Sequence, residues 1–133
     1  MGMEIVLTRV LLERLLAAGR EAVPDESCGI LLGENRRLDR VEPTRNVHPT
    51  PRTHFEIDPQ ALVEAHRAAR SGGPQVLGYY HSHPGGSAAP SETDRAQASG
   101  DGRVWAIIGD GDVAFWRDGE DGFAKLSYIV SGG

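Results

Sequence analysis

Apolar residues along this chain follow two spacings, which predict strands and helices in alternation. Short apolar runs bounded by glycine, proline or acidic turn residues are typical of strands. Such runs predict strands over residues 3–7, 28–32, 40–47, 76–81, 104–108, 113–116 and 123–130. The alternation of Phe55 and Ile57 predicts one more short strand, and turns rich in glycine and aspartate separate the last three strands.

Three other segments carry the features of helices, over residues 8–18, 58–70 and 91–99. In the first segment, Thr8 is a suitable N-cap, apolar residues at helical spacing form one stripe, and Gly19 should end the helix. In the second, Asp58 precedes Pro59, and an acidic cap followed by proline in the first turn is a strong helix start. In the third, Ser91 is expected to open the helix.

Strands and helices therefore interleave along a chain of 133 residues, of which 39% are apolar. A chain of this length and composition can bury a core of its own and fits one compact domain. The sequence contains no internal repeat, low-complexity tract or linker. We predict an α/β or α+β fold in a single domain over residues 1–133.

Net charge, cysteine content and apolar run length argue against nucleic-acid-binding, disulfide-stabilised and membrane-spanning proteins. The net charge of −5 argues weakly against nucleic acid, which prefers a basic face. Cys28 is the single cysteine, so no disulfide can form within the chain. The sequence has no run of about 18 apolar residues for a membrane span and no basic signal-peptide region. We expect a cytoplasmic enzyme with no nucleic-acid or membrane partner and leave its oligomeric state open.

The most specific chemical feature is a His-Ser-His-Pro string at 81–84 followed, after six residues, by Ser91 and Asp94. Residues i and i+2 of a strand point to the same face, so His81 and His83 can project side by side. Asp94 falls in the first turn of the next predicted helix, within reach of the same point. Two neutral imidazoles and a carboxylate suit Zn²⁺, and three protein ligands leave the fourth tetrahedral position open, as in catalytic zinc sites.

Simpler interpretations of these residues stay open at this point. A His-x-His pair alone is common without any metal. Ser91 and Asp94 alone match a variant of the capping box at a helix start. Capping and catalysis are compatible, because a capping serine also positions its own hydroxyl. The conjunction of all four residues around a turn favours the metal site.

The motif resembles the JAMM (MPN-plus) metallopeptidases, whose pattern is a distant Glu, then His-Ser/Thr-His-Pro, six residues, Ser, two residues and Asp. Segment 24–33, Pro-Asp-Glu-Ser-Cys-Gly-Ile-Leu-Leu-Gly, is similar to the family segment that carries the Glu. Residues 45–46, 53–59 and 78–80 also resemble the compact bacterial and archaeal branch. The resemblance covers roughly residues 3–130. It implies a JAMM/MPN-like domain with a mixed central sheet flanked by helices.

Carried over by position, the resemblance also implies roles for single residues. It implies three zinc ligands, which are His81, His83 and Asp94. It makes Glu26 the general base that takes a proton from the attacking water and delivers it to the leaving amine. It makes Ser91 a donor to the oxyanion of the tetrahedral intermediate. On spacing alone Asp25 is a rival to Glu26, and the family pattern selects Glu26.

Several other residues favour structural interpretations. Three histidines have no ligand-like partners in the sequence: His48, His54 and His66. Cys28 is expected to be a small buried hydrophobe. Trp105 and Trp116 fall in the closing strands and are expected in the core. Ser82 points to the face opposite the ligands and is expected to be structural.

The resemblance implies a substrate class as well. JAMM enzymes typically cut the amide or isopeptide bond after the C-terminal glycine of a ubiquitin-like protein, and minimal prokaryotic members act on ubiquitin-like sulfur carriers, their conjugates or their amino-acid adducts. Small residues at 85–89 would let an extended Gly-Gly tail pass close to the zinc. The alternatives are a zinc peptidase for short or cell-wall peptides and a noncatalytic scaffold of the same fold. The chain's own Gly132-Gly133 end is expected to be a frayed tail.

Overall fold

The computed structural model describes residues 4–132, which form seven strands and three helices. In chain order these are β1 (Glu4–Leu7), α1 (Arg9–Ala22), β2 (Cys28–Glu34), β3 (Arg37–Thr44), α2 (Pro59–Arg70), β4 (Gln75–Ser82), α3 (Glu92–Gln97), β5 (Val104–Ile108), β6 (Val113–Gly119) and β7 (Gly122–Val130). Met3 of the first predicted strand and Gly133 of the terminal pair lie outside the described residues. No helix of the described part has the length and apolar character needed to cross a bilayer.

The strands form one mixed sheet that closes on itself in the order β1-β3-β2-β4-β5-β6-β7. β1 runs parallel to both of its neighbours and β4 runs parallel to β5, whereas the remaining pairs are antiparallel. The predicted mixed sheet flanked by helices is therefore confirmed, with the addition that the sheet closes into a barrel. Parallel neighbours need a crossover connection. The crossover between β4 and β5 contains α3, which brings that helix to the end of β4.

The sheet buries apolar residues on both of its faces, and β2 contributes to both. Leu31 belongs to the larger apolar cluster, together with Leu15 of α1. Ile30 belongs to a second cluster, against which Leu62 of α2 packs. Adjacent strand residues point to opposite faces, so the two helices cover opposite sides of this strand. This explains the unbroken burial of residues 28–33, which is typical of a strand covered on both faces.

The first helix continues to Ala22, so the prediction that Gly19 ends it is wrong. Gly19 is buried within α1, and a Cβ at this position would come within 2.8 Å of a methyl group of Ile108 in β5. The missing side chain of glycine lets the helix backbone lie directly against the Ile108 side chain of the strand. Gly19 therefore marks a packing contact between α1 and β5 and not the end of the helix.

Segment 46–57 also differs from the prediction. β3 ends at Thr44 instead of 47, and the strand predicted from Phe55 and Ile57 does not form. Within the described residues, the pairing of this segment is an isolated bridge between Asn46 and Ile57. The side chain of Asn46 bonds five backbone groups, four of them in this segment, and folds it into a loop. Such side-chain bonds compete with the regular ladder of a strand.

The third helix is shorter than predicted, spanning Glu92–Gln97 with Ser91 as its cap. The buried carboxylate of Asp118 in β6 explains its early end. Its oxygens accept hydrogen bonds from the backbone N–H groups of Ser99 and Gly100, each at 3.1 Å. The chain after α3 is thus held by hydrogen bonds to a distant strand, and the local sequence could not show this contact.

The contact of Gly19 with β5 leads to a stability prediction. Gly19→Val should lower the free energy of unfolding by about 1–3 kcal/mol, because an overpacked contact forces the helix or Ile108 to move. Ala17→Val is the matched control, since it places the same side chain on a half-exposed face of α1. Its cost should stay below about 0.7 kcal/mol, the range of helix propensity. If urea unfolding gave the same loss of free energy of unfolding for both variants, the packing role of Gly19 would be contradicted.

Candidate metal centre

The three predicted ligand residues converge at the end of β4. His81 lies near the end of this strand, His83 follows it, and Asp94 lies in the first turn of α3. Nε2 of His81 is 3.1 Å from Nε2 of His83 and 2.9 Å from Oδ1 of Asp94. Nε2 of His83 is 3.1 Å from Oδ2 of Asp94. The donor atoms therefore form a nearly equilateral triangle.

This triangle has the dimensions of one face of a metal-centred tetrahedron. Nitrogen and oxygen donors about 2.0–2.1 Å from a tetrahedral zinc ion lie about 3.3 Å from one another. The observed separations come close to this value, and one ligand atom from each residue lies within 4.8 Å of the others. The three residues can therefore hold a metal ion and leave one corner of the tetrahedron for a further ligand.

A hydrogen bond outside the triangle fixes which nitrogen of His83 faces the centre. Nδ1 of this ring lies 2.9 Å from the carbonyl oxygen of Ser87. A carbonyl can only accept, so Nδ1 carries the proton and donates it. Nε2 is then the nitrogen that faces the centre, and a metal would take the place of the proton that it donates to Asp94 in the metal-free protein.

Aromatic packing fixes the ring of His81. Phe55 stacks on this imidazole with ring centroids 4.2 Å apart and an interplanar angle of 14°. Trp105 meets the same imidazole edge-on at 5.6 Å and is buried, as the sequence predicted. Sequence reasoning missed both contacts, because neither residue lies within 20 positions of His81. No local pattern could have indicated them.

The charge states of the triangle follow from burial and mutual hydrogen bonding. Burial disfavours the charged imidazole and lowers the pKa of His81. The hydrogen bond to Asp94 raises the pKa of His83. Burial alone would raise the pKa of Asp94, but hydrogen bonds from both imidazoles outweigh it and hold that pKa well below its usual range. An ionised carboxylate and a neutral imidazole are forms that bind a metal.

The capping box interpretation of Ser91 and Asp94 also holds in the structure. Oγ of Ser91 accepts a hydrogen bond from the N–H of Asp94 at 3.1 Å, and Oδ2 of Asp94 accepts one from the N–H of Ser91 at 3.0 Å. The same carboxylate therefore starts α3 and faces both imidazoles. The two interpretations of this pair are compatible, because the cap orients the carboxylate toward the centre.

Glu26 lies in the loop before β2, yet its side chain is 93% buried, with only 7% exposed. Burial raises its pKa to about 7, against a lowering effect of His83 and with a further raising effect of Asp94. The carboxyl is therefore close enough to the triangle for the charges of His83 and Asp94 to act on its pKa. Asp25, the rival on spacing, is only half-buried. The structure thus favours Glu26 as the acid of this site.

Ser82 anchors the loop that carries Glu26. Its hydroxyl oxygen accepts hydrogen bonds from the N–H of Ser27 at 2.8 Å and from the Ser27 hydroxyl at 3.0 Å. The Ser82 N–H donates to the Ser27 carbonyl at 3.1 Å. The serine between the two histidines is therefore structural, as expected, and it ties the segment after Glu26 to the ligand strand.

The small-residue loop at 85–90 is fixed along its length. The N–H of Asp110 donates to the carbonyl of Gly86 at 2.9 Å. The indole N–H of Trp116 donates to the carbonyl of Ala88 at 3.0 Å. Trp116 was expected in the core, and this prediction is wrong: the residue is half-buried and Lys125 lies over its ring. Its polar N–H explains its position at the edge of the core.

The structure does not bring the other histidines to the triangle. His48 and His54 stack on each other with ring centroids 4.7 Å apart, within the loop 46–57. His66 of α2 lies 3.5 Å from the hydroxyl of Tyr79. Cys28 is buried as predicted, with its thiol 3.5 Å from the Thr44 hydroxyl.

The chain is similar to a known protein family and to named relatives in other organisms. The family model described as prokaryotic homologs of the JAB domain matches residues 8–119. A relative from Haloferax volcanii named desampylase is 36% identical over 125 residues, which cover 89% of this chain and 90% of the relative. The match therefore extends over nearly the whole of both chains, including the segments that carry the site.

Two further similarities agree with this one. A Thermus thermophilus relative, named as a probable TtuB-protein conjugate cleaving protease, is 40% identical over 97 residues. The match covers 73% of this chain and 65% of that relative. The solution structure of a Desulfitobacterium hafniense protein, 31% identical, superposes with a TM-score of 0.85 and covers 97% of this chain and 94% of its own.

The raised pKa of Glu26 generates a prediction for the metal-free protein. The folded state holds its proton up to pH about 7, whereas the unfolded chain loses it near the ordinary value of 4.5. The contribution of this group to stability is therefore full below pH 4.5 and falls as the pH rises to about 7. Glu26→Gln mimics the protonated acid. It should stabilise the chelator-treated protein more at pH 8 than at pH 5.

Urea unfolding at the two pH values measures this difference. Glu13→Gln is the control, because it makes the same chemical change at an exposed position of α1. Its effect on the free energy of unfolding should be the same at both pH values. If Glu26→Gln behaved like this control, Glu26 would be titrating as an ordinary exposed acid.

Proposed function

Because this chain belongs to the compact prokaryotic branch of the JAMM (MPN-plus) metallopeptidases, we propose that it is a zinc-dependent peptidase or isopeptidase. It hydrolyses the amide bond after the C-terminal glycine of a ubiquitin-like or sulfur-carrier protein, in a conjugate or an amino-acid adduct. The convergence of His81, His83 and Asp94 beside the buried Glu26 carries this proposal. The names desampylase and conjugate cleaving protease support the substrate class. Residues 1–133 act as one domain.

The donor set supports zinc as the metal. Two imidazole nitrogens and one carboxylate oxygen are common zinc ligands, and a three-residue set is typical of catalytic sites. Zinc held here would polarise the substrate carbonyl and lower the pKa of a water molecule to about 7. The protein contributes the fixed donors, which packing on His81 and the Ser87 carbonyl at His83 hold in place.

Glu26 carries the proton in this proposal. Hydrolysis of an amide needs a base for the attacking water and an acid for the leaving amine, and a single carboxyl can serve as both in turn. A pKa of about 7 lets the group accept and release a proton near neutral pH, where such transfer is most effective. A loop acid with the ordinary pKa of 4.5 would be a weaker base toward the attacking water and would be ionised at neutral pH.

Ser91 supplies a hydrogen bond to the oxyanion. Its oxygen already accepts from the N–H of Asp94, so its hydroxyl hydrogen remains available to donate. The capping bond fixes the direction of this hydroxyl before substrate arrives, and preorganised donors stabilise the developing charge most strongly. Its position one turn before the ligand Asp94 keeps it beside the centre.

The loop 85–90 gives an extended substrate tail access to the centre. It consists of small residues, and its backbone is held by Asp110 and Trp116 through the carbonyls of Gly86 and Ala88. A tail that ends in two glycines has no side chains to collide with this loop. Short or cell-wall peptides are the alternative substrates. A noncatalytic scaffold is a weaker alternative, because the ligand triangle, the acid and the serine are all present.

Removal of the carboxylate charge should remove the metal. Asp94→Asn keeps an oxygen that can accept from the Ser91 N–H, so α3 should still start correctly. The anionic ligand is lost, and affinity for Zn²⁺ should fall more than about 100-fold, since even supporting residues change affinity by 10–100-fold. Competition with a chromophoric chelator measures the affinity. His48→Ala is the control and should bind as the parent does.

Replacement of Glu26 should lower the rate of hydrolysis without loss of the metal. Glu26→Gln should keep its zinc and lose roughly 10²-fold or more in kcat, as expected when a general base is removed. The substrate is a sulfur-carrier protein ending in Gly-Gly and joined by an amide bond to a reporter. A peptide with the same last six residues is the matched substrate.

The outcomes distinguish the candidate functions. Cleavage of the protein substrate well above the peptide supports the carrier as the partner. Faster cleavage of the peptide would replace this proposal with the short-peptide alternative. Full activity of Glu26→Gln would refute the assigned role of Glu26, and zinc-loaded parent protein that cleaves neither substrate would refute the proposed function.

A further inference from the structure

The loop 46–57 is built around one amide side chain, that of Asn46. Its Nδ2 donates to the carbonyls of Glu26 at 3.1 Å, His54 at 3.0 Å and Pro51 at 3.4 Å. Its Oδ1 accepts from the N–H groups of His48 at 3.1 Å and Glu56 at 3.0 Å. No other side chain among the described residues makes as many hydrogen bonds to the backbone.

We propose that Asn46 is a positioning residue for the reaction, which acts by holding the backbone of Glu26 at a fixed place relative to His81. This inference rests on the proposed function, since it takes Glu26 as the proton carrier. It concerns a residue that lies 20 positions from Glu26 and 35 from His81 in the sequence. Among the described residues, Asn46 makes no hydrogen bond to the metal donors or to the Glu26 carboxyl.

The loop 46–57 binds both backbone groups of Glu26. The Glu26 carbonyl accepts from Nδ2 of Asn46, and the Glu26 N–H donates to the carbonyl of Pro51 at 2.8 Å. Pro51 is itself bonded to Asn46. On the other side, Ser27 is bonded to Ser82 of the ligand strand. Glu26 is thus held between two anchors.

The loop 46–57 also has a fixed place relative to the metal centre. Oδ1 of Asn46 accepts from the N–H of Glu56, and Val47 donates to the Glu56 carbonyl at 2.9 Å. The neighbouring Phe55 stacks on the ring of His81. One amide therefore links the acid to the residue that packs against a ligand. A displacement of about 1 Å can cost as much as 10²-fold in rate when it moves a catalytic group.

The contacts of Asn46 require an amide side chain. The NH₂ end has two hydrogens for three carbonyls, so the longest contact, at 3.4 Å to Pro51, shares a hydrogen with another. The oxygen end accepts from two N–H groups, and only Asn and Gln side chains combine these two ends in one plane. Asn46→Asp has the same shape and keeps the acceptor. Its carboxylate cannot donate, and it would face three carbonyl oxygens in place of a donor. Asn46→Ser adds no charge and replaces the amide by a shorter hydroxyl, whose single O–H cannot replace the NH₂ donors of the amide.

The chain offers a matched control, because Asn35 is its second asparagine. It is exposed in the turn between β2 and β3, with a φ of 58°, and aspartate tolerates such a conformation. The described structure records no hydrogen bond from its side chain. Asn35→Asp therefore makes the same chemical change and adds the same charge without touching the loop 46–57.

The experiment compares the parent, Asn46→Asp, Asn46→Ser and Asn35→Asp in zinc-loaded form. We expect all four to hold one equivalent of zinc. Amide hydrogen exchange should become faster in peptides covering 25–28 and 46–56 of both Asn46 variants, and should not change in Asn35→Asp. With the carrier–reporter substrate, kcat of the Asn46 variants should fall about 10- to 100-fold, with KM within about threefold of the parent.

A double variant tests whether Asn46 acts through Glu26. In the Glu26→Gln background, Asn46→Asp should cause no further loss of kcat, because residues that act as a unit are not additive. The same fold-loss in both backgrounds, loss of zinc from the Asn46 variants, or unchanged exchange at 25–28 would each overturn the proposal. If the parent itself cleaves no carrier substrate, the proposed function fails, and the exchange result still decides whether Asn46 holds Glu26.

Discussion

The carboxylate of Asp94 is the interaction on which the rest of the site depends. One of its oxygens faces His81, and the other faces His83 and accepts from the N–H of Ser91. A buried charge is tolerated only when it is paired and hydrogen-bonded, and this one is bonded on all sides. The same group begins α3 and completes the ligand triangle. The start of the helix and the geometry of the triangle therefore depend on the same carboxylate.

Topology explains why this carboxylate can reach the histidines. β4 and β5 are parallel neighbours, so the chain must cross over between them, and it does so through the loop 85–90 and α3. The end of β4 and the start of α3 are then forced into proximity. Trp116 and Asp118 of β6 hold the two sides of this crossover through Ala88 and Ser99. The strand that fixes the crossover carries no ligand itself.

Local signals predicted those parts of the fold that local forces determine. The cap and proline at Asp58 and Pro59 gave the start of α2, and the apolar run 104–108 coincides with β5. The ligand triangle was predictable because its members lie within fourteen positions of one another. Glu26 required the family pattern, since spacing alone left Asp25 open. Phe55, Asn46 and the true role of Gly19 depend on contacts between distant segments, for which the sequence carries no periodic signal.

Burial of the Glu26 carboxyl raises its pKa, and the same burial makes anchoring of its loop necessary. Burial favours the protonated acid, but the ionised form that a base requires would gain free energy by turning out to water. A carboxyl in a mobile loop would therefore leave the centre when it ionises. Bonds from Ser82, Pro51 and Asn46 hold the backbone on both sides of it. In its proposed role as proton carrier, Glu26 therefore needs a rigid loop, and the Asn46 amide bonds both the Glu26 carbonyl and the loop 46–57.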